Sequence, residues 1–181
     1  MMFARLFCLL ALLWPALALG QTKSVAWSQV VVQPNTGAYA AGSCLGGVLT
    51  IPNMLQPQGP GGTIITSFTF LDPAHQTAAN DAMTIWLLNA APTGSYTDHS
   101  ACSLAAADIP FVVGVLNVAS SACFQDQAPN STTCTVTTNL ALAGAMPVTS
   151  PNLYAIPFVA ATPTYGTSKL YFNFLATPFA F

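Results

Sequence analysis

Charge is what this 181-residue chain has least of. Three residues are basic, five are acidic and two are histidine, giving a formal net charge of −2. Every acid is an aspartate (Asp72, Asp81, Asp98, Asp108 and Asp126), and glutamate is absent. So few cations cannot attract a phosphate backbone, which excludes nucleic acid as a partner. So few charges also give copies of the chain little repulsion to hold them apart in solution. The composition therefore reads as a protein packed against copies of itself or against another surface. A small-residue-rich secreted protein is the alternative reading.

Groups for catalysis are scarce as well. With no glutamate, a pair of carboxylates for glycoside hydrolysis would have to be two aspartates, and Asp98 and Asp108 are the nearest candidates. Asp98 reads equally well as a helix cap. There is no GxSxG elbow, and no serine is identifiable as a nucleophile served by a histidine and an acid. His75 follows Asp72 by three residues and His99 follows Asp98 by one, and such pairs read as solvated turn residues before they read as metal ligands. The glycines of GAYAAGSCLGG precede no helix, so they are loop and tight-turn positions rather than a nucleotide fingerprint. Neither cofactor nor metal is implied, and hydrolase is the last of the function classes.

No apolar run is long enough to span a bilayer comfortably. Residues 1–20 instead carry Arg5, an apolar stretch from Leu6 to Leu13, and small residues in Ala18-Leu19-Gly20. These features predict a signal peptide with cleavage expected before Gln21, leaving one domain over 21–181 and no stable membrane insertion; a transmembrane anchor is the alternative reading. The expected location is secreted, extracellular or cell-surface. Cys8 leaves with the signal, and Cys44, Cys102, Cys123 and Cys134 remain. An even cysteine count in an exported chain argues for disulfides. Cys123 and Cys134 flank a polar turn segment, so a local bridge between them is expected, leaving Cys44 with Cys102. Asn130-Ser131-Thr132 between them is a glycosylation sequon.

What is present in quantity is short strands and turns. Residues 25–32 (VAWSQVVV), 48–51, 63–71, 83–88, 111–118, 134–142, 153–159 and 169–176 are rich in β-branched and aromatic residues and are bounded by Gly, Pro and Asn. In the third of these Ile64, Phe68 and Phe70 are expected on one face. In the last, Leu170, Phe172 and Phe174 face inward. Met83 to Leu88 is apolar on both faces and reads as a central strand covered on both sides. Pro157 marks 153–159 as an edge or bulged strand. Ala and Leu over 101–107, preceded by Asp98 or Ser100 and stopped by Pro110, predict one short helix. About eight strands and one short helix make an all-β sandwich, with a jelly roll the favoured version. Tyr39, Trp27, Tyr96 and Tyr165 are either core aromatics or stacking platforms for sugars.

The runs GGVLTIPN, GGTIITSFTFLDPAHQ, MTIWLLNAAPTGSYTDHSACSLAAADIPFVVGVLNV and LYAIPFVAATPTYGTSKLYFNFLA resemble structural proteins of tailed phages and prophages. The likeness covers most of residues 39–176 and lies in turns and core positions. It implies a virion-associated, jelly-roll-like protein that self-associates or decorates a capsid, with no catalytic residues. The signal segment and the four cysteines, with a stapled insertion at 123–134, depart from that pattern. They point to an exported relative, with an extracellular filament, sheath or surface-layer subunit as the rival to a capsid role.

Two functions therefore stand: a non-enzymatic assembly protein, and a secreted module for glycans or another surface ligand. For assembly, partners are copies of the chain itself or a capsid or surface lattice. The strand through Val25, Trp27, Val30 and Val32 is the candidate for pairing with a neighbour.

Overall fold

The computed structural model describes residues 26–55, 61–73, 81–126, 131–142 and 150–180. Residues 1–20, where a signal peptide is expected, and Val25, His75 and Asn130 lie outside them. Among the described residues there are nine strands: β1 (Ala26–Val32), β2 (Leu49–Ile51), β3 (Gly61–Asp72), β4 (Met83–Leu88), β5 (Val112–Val118), β6 (Cys123–Asp126), β7 (Ser131–Leu142), β8 (Leu153–Val159) and β9 (Leu170–Ala180). They form two antiparallel sheets, ordered β1-β9-β3-β7-β6 and β2-β8-β4-β5.

The pairing is nested. β1 pairs with β9, β2 with β8, β3 with β7 and β4 with β5. One long antiparallel ribbon, turning back on itself between β4 and β5, is rolled so that its successive rungs alternate between the two sheets. That is a jelly roll. β6 is an addition that extends the first sheet by a hairpin with β7.

The core lies between the sheets. Phe68 stands opposite Phe174 and Phe70 opposite Phe172, with ring centroids 5.0 and 5.1 Å apart. Such cross-strand aromatic pairs contribute about 0.5–1.5 kcal/mol beyond their buried area. Leu49, Ile51, Met83, Ile85, Leu87, Leu116 and Val118 meet them from the second sheet. The inward alternation of Leu170, Phe172 and Phe174 is present as expected.

β3 departs from the simple alternation. Its register against both neighbours shifts between Ile65 and Ser67. The bulge inserts one residue, so Ile65 and Phe68 both reach the core and Ile64 turns away. Period-2 reading across that point had put Ile64 with Phe68.

The short helix expected over 101–107 is not formed. Ala101 bridges Ser43, the Cys102 N–H donates to the Gly42 carbonyl at 2.8 Å, and the Cys44 N–H donates to Ser100 at 2.8 Å. These backbone groups are committed to the 42–44 segment, which outweighs the modest helix propensity of Ala and Leu. The helical structure among the described residues is two single 3₁₀ turns, Ile109–Phe111 and Ser120–Ala122.

β8 is not at an edge either, since it lies between β2 and β4. Pro157 is tolerated because β2 ends short of it. The Pro157 carbonyl accepts from the Leu45 N–H of the preceding loop at 2.9 Å, so the missing N–H faces that loop and not β4.

Candidate functional site: the loop end and the open edges

β4 is central in its sheet, and its two faces pack into different clusters. Ile85 and Leu87 belong to the inter-sheet core, whereas Leu88 packs outward with Ile156, Cys44 and Tyr96, joined by Trp86, Leu104 and Val112. The long connection over residues 89–111 supplies that outer cover, and two aspartates hold it in shape.

Asp98 accepts from the Gly46 N–H at 2.6 Å, the Tyr39 hydroxyl at 2.8 Å and the Asn35 N–H at 2.9 Å, which ties three points of the β1–β2 connection to one carboxylate. Gly46 and Gly47 both have φ near +73°, and a Cβ on Gly47 would stand 2.8 Å from the Tyr96 carbonyl oxygen, so this turn requires glycine. Asp108 accepts from Thr93 N–H (2.8 Å), Thr93 Oγ1 (2.9 Å), Gly94 N–H (2.9 Å) and the Tyr96 hydroxyl (2.6 Å). Burial raises its pKa, but these donors outweigh burial and hold it at about 2. Burial, and then the neighbouring carboxylate, pushes the phenols of Tyr39 and Tyr96 up. Asp98 and Asp108 are thus clamps whose oxygens accept from loop donors, and neither side chain caps a helix.

His99 stacks on Tyr39 with ring centroids 4.5 Å apart, and Tyr39 meets Tyr165 edge-on at 5.4 Å. Tyr39, Tyr96 and Tyr165 are all buried, so they offer no platform for a sugar. Of the four aromatics considered for stacking, Trp27 alone is exposed.

Among the described residues the cysteines stand in two pairs, Cys44–Cys102 and Cys123–Cys134. The first fastens the 42–45 segment to the 99–102 segment on the outer face of the second sheet. The second cross-links directly opposed residues of the β6–β7 hairpin.

The four outer strands are β1 and β6 of the first sheet and β2 and β5 of the second. Asp126 is the single charged residue on all four. Trp27 is 64% exposed and Val31 46% on β1, and Phe124 is 72% exposed on β6. Trp27 stands opposite Leu175 and Val31 opposite Tyr171, so the apolar character continues one strand inward. Val30 and Val32 of the same strand face the core instead. β1 pairs along its full length with β9, and among the described residues no strand pairs with its outer edge. Phe124, Val115, Ile109 and Phe111 were not singled out from sequence, although an aromatic beside a cysteine on a short strand is a usable signal of an outward position.

No family model matches this chain. Nor does any curated protein. Among solved structures the chain is similar to that of tomato aspermy virus, at 10% identity over 86% of this chain and 79% of that one, with a TM-score of 0.33. It is also similar to the acid-stable capsid of a Helicobacter pylori bacteriophage (14% identity, 88% and 97% covered, TM-score 0.31). A third is an adhesin domain of Lys-gingipain from Porphyromonas gingivalis (13%, 72% and 63%, TM-score 0.32). With scores this low the assignment to a jelly roll rests on the nested strand pairing. Among the described residues no helix is long and apolar enough to cross a membrane, and no group of three or more His, Cys, Asp or Glu is gathered.

Proposed function

We propose that this protein is a non-enzymatic structural subunit that assembles with copies of itself into, or onto, an extracellular or virion surface. The observation that carries the reading is the set of open strand edges, which lack the charges that usually block edge-to-edge association. Exposed Trp27 and Val31 at one edge of the first sheet and Phe124 at the other add apolar contact area where a neighbour would meet the chain. The near absence of charge supports the same conclusion, since it leaves little to oppose close approach. The two disulfides fit an oxidising location. A glycan-binding module is the weaker reading, because the tyrosines it would use are buried. Sedimentation velocity of the exported protein at micromolar concentration, with electron microscopy of the native material, tests this proposal. Concentration-dependent assembly is expected, and a clean monomer at all concentrations would overturn it.

A further inference from the structure

The four outer strands are not equally open to a neighbour. β2 has three residues and β6 four, and edges that short offer few backbone groups for pairing. β5 meets β4 in a register that shifts between Leu87 and Leu88, and such a bulge bends an edge away from a flat partner. β1 carries none of these blocks. Its seven residues stand opposite β9 in unbroken register, from Ala26 against Ala176 to Val32 against Leu170. No residue of β1 is charged. Trp27, Gln29 and Val31 are exposed on its outward face, whereas Ser28 and Val32 are buried and Val30 packs on the core.

The outward face of β1 is symmetric about its middle. Gln29 is the central residue of the strand, with an apolar side chain two positions to either side. We propose that β1 pairs antiparallel with β1 of a second copy, about a two-fold axis through Gln29, joining two five-stranded sheets into one. The contact presupposes the assembly role proposed for the chain and gives it a defined seam. Each face of the joined sheet stays on its own side, so outward residues must meet outward residues. Centred on Gln29, the register sets Trp27 against Val31 of the second copy at both ends and Gln29 against Gln29 of the second copy. Aromatic side chains opposite β-branched ones are among the cross-strand pairs that hold sheets together. The Gln29 amide donates one N–H to Asn173 Oδ1 at 2.9 Å, and its second N–H and its carbonyl oxygen suit the same groups of the facing glutamine. On the inward side Ala26 falls opposite Val32 and Ser28 opposite Val30, so a small residue faces each valine. Centring on Ser28 or on Val30 would instead set Gln29 against Trp27 or Val31 and leave strand ends unpaired.

The test is cross-linking of the exported protein carrying Gln29→Cys, under mild oxidation, with mapping of the bridged peptides. Facing residues of an antiparallel pair have Cα atoms about 4.5–5.5 Å apart, within reach of a disulfide. Gln29→Cys should therefore move from the monomer mass to twice that mass, with a peptide joining position 29 to position 29. Trp27→Cys alone should not bridge to itself, because its two copies lie four residues apart along the seam, about 14 Å. Mixed with Val31→Cys, it should give a bridge from position 27 to position 31. Absence of any concentration-dependent association of the unmodified protein overturns this contact and the assembly role together. Association that persists without a 29–29 bridge, or with a self-bridge at position 27, overturns this contact and leaves the assembly role standing on another surface. If the cysteine variants mispair or do not fold, hydrogen exchange of the unmodified protein decides the question. The amides of β1 that point away from β9 should exchange more slowly at high protein concentration than at low, and unchanged exchange there while the protein associates overturns the pairing.

Discussion

The Tyr96 hydroxyl donates to Oδ2 of Asp108 across 2.6 Å, inside the loop that covers the outer face of β4. The same phenolic oxygen accepts from the Ala105 N–H at 3.0 Å, so a single tyrosine–aspartate pair bridges both halves of the connection where a helix had been expected.

Asp108→Asn should therefore destabilise the fold by about 2–4 kcal/mol, since an amide offers one acceptor oxygen to four donors and leaves others unmatched. The pH dependence has a fixed sign. The folded pKa of about 2 is below the ordinary aspartate value of 3.8, so the stabilisation is present above about pH 4 and is lost as pH falls through 2. Urea unfolding should separate variant and parent at pH 6, and the gap should narrow towards pH 2. A constant gap across that range would show that the carboxylate's charge is not what matters.

Asp81 acts in the opposite direction. Burial, and then the Asp72 carboxylate, raises its folded pKa from 3.8 to about 8, so its contribution is fully present below about pH 4 and declines as pH rises to about 8, after which it is flat. Asp108 is ionised whether the chain is folded or unfolded over most of that window, so the two effects separate. Stability measured by urea unfolding at pH 5, 7 and 9 should fall from the first to the second and again to the third. Asp81→Asn should flatten the profile, and a parent profile that rises with pH would contradict the buried-pair account.

The edge hypothesis yields a paired substitution. Trp27→Lys with Val31→Lys places two charges on the outward side of β1 without touching the inward Val30 and Val32. Assembly measured by sedimentation should be lost while the far-ultraviolet circular dichroism stays that of the parent. Retention of the same assemblies would move the contact away from β1, and the corresponding change at Phe124 would then examine the β6 edge.

The two disulfides should differ in value. Cys123–Cys134 spans 11 residues and Cys44–Cys102 spans 58. By loop-closure entropy they are worth about 3 and about 4 kcal/mol. Replacing both cysteines of a pair with alanine should cost more at 44/102, where the bridge also fastens the loop cover to the sheet. Equal or inverted losses in urea unfolding would show that strain or residual structure in the unfolded chain dominates. Peptide mapping without reductant checks the pairing itself.

Where the sequence was readable, one physical rule acted alone. Leu170, Phe172 and Phe174 alternate on a regular strand, and the cysteines of a short polar loop pair locally. Where it was not, a distant contact overrode the local rule. The β3 bulge interrupts the period of two, the 42–44 segment captures the backbone of 100–102, and the loop beside Pro157 makes an inner strand acceptable. β6 was missed because four residues after a turn carry almost no periodic signal. The Asp72–Asp81 pair, beside the Thr132 and Tyr165 hydroxyls, was hidden for a related reason. Asp72, Asp81, Thr132 and Tyr165 come from four separate segments, and each alone looks like an ordinary turn or strand residue.

The nested pairing also sets an order of events. Ala26 lies opposite Ala176, so the first strand waits for nearly the whole chain before it has a partner. Contacts this remote in sequence make for slow folding, on the scale of milliseconds to seconds. β9 fills the place between β1 and β3. Until it arrives, the first sheet has an open gap lined by uncharged backbone, and a strand from another copy fits that gap as well as the chain's own. The interval between synthesis of β3 and docking of β9 is thus when premature or swapped association competes with folding.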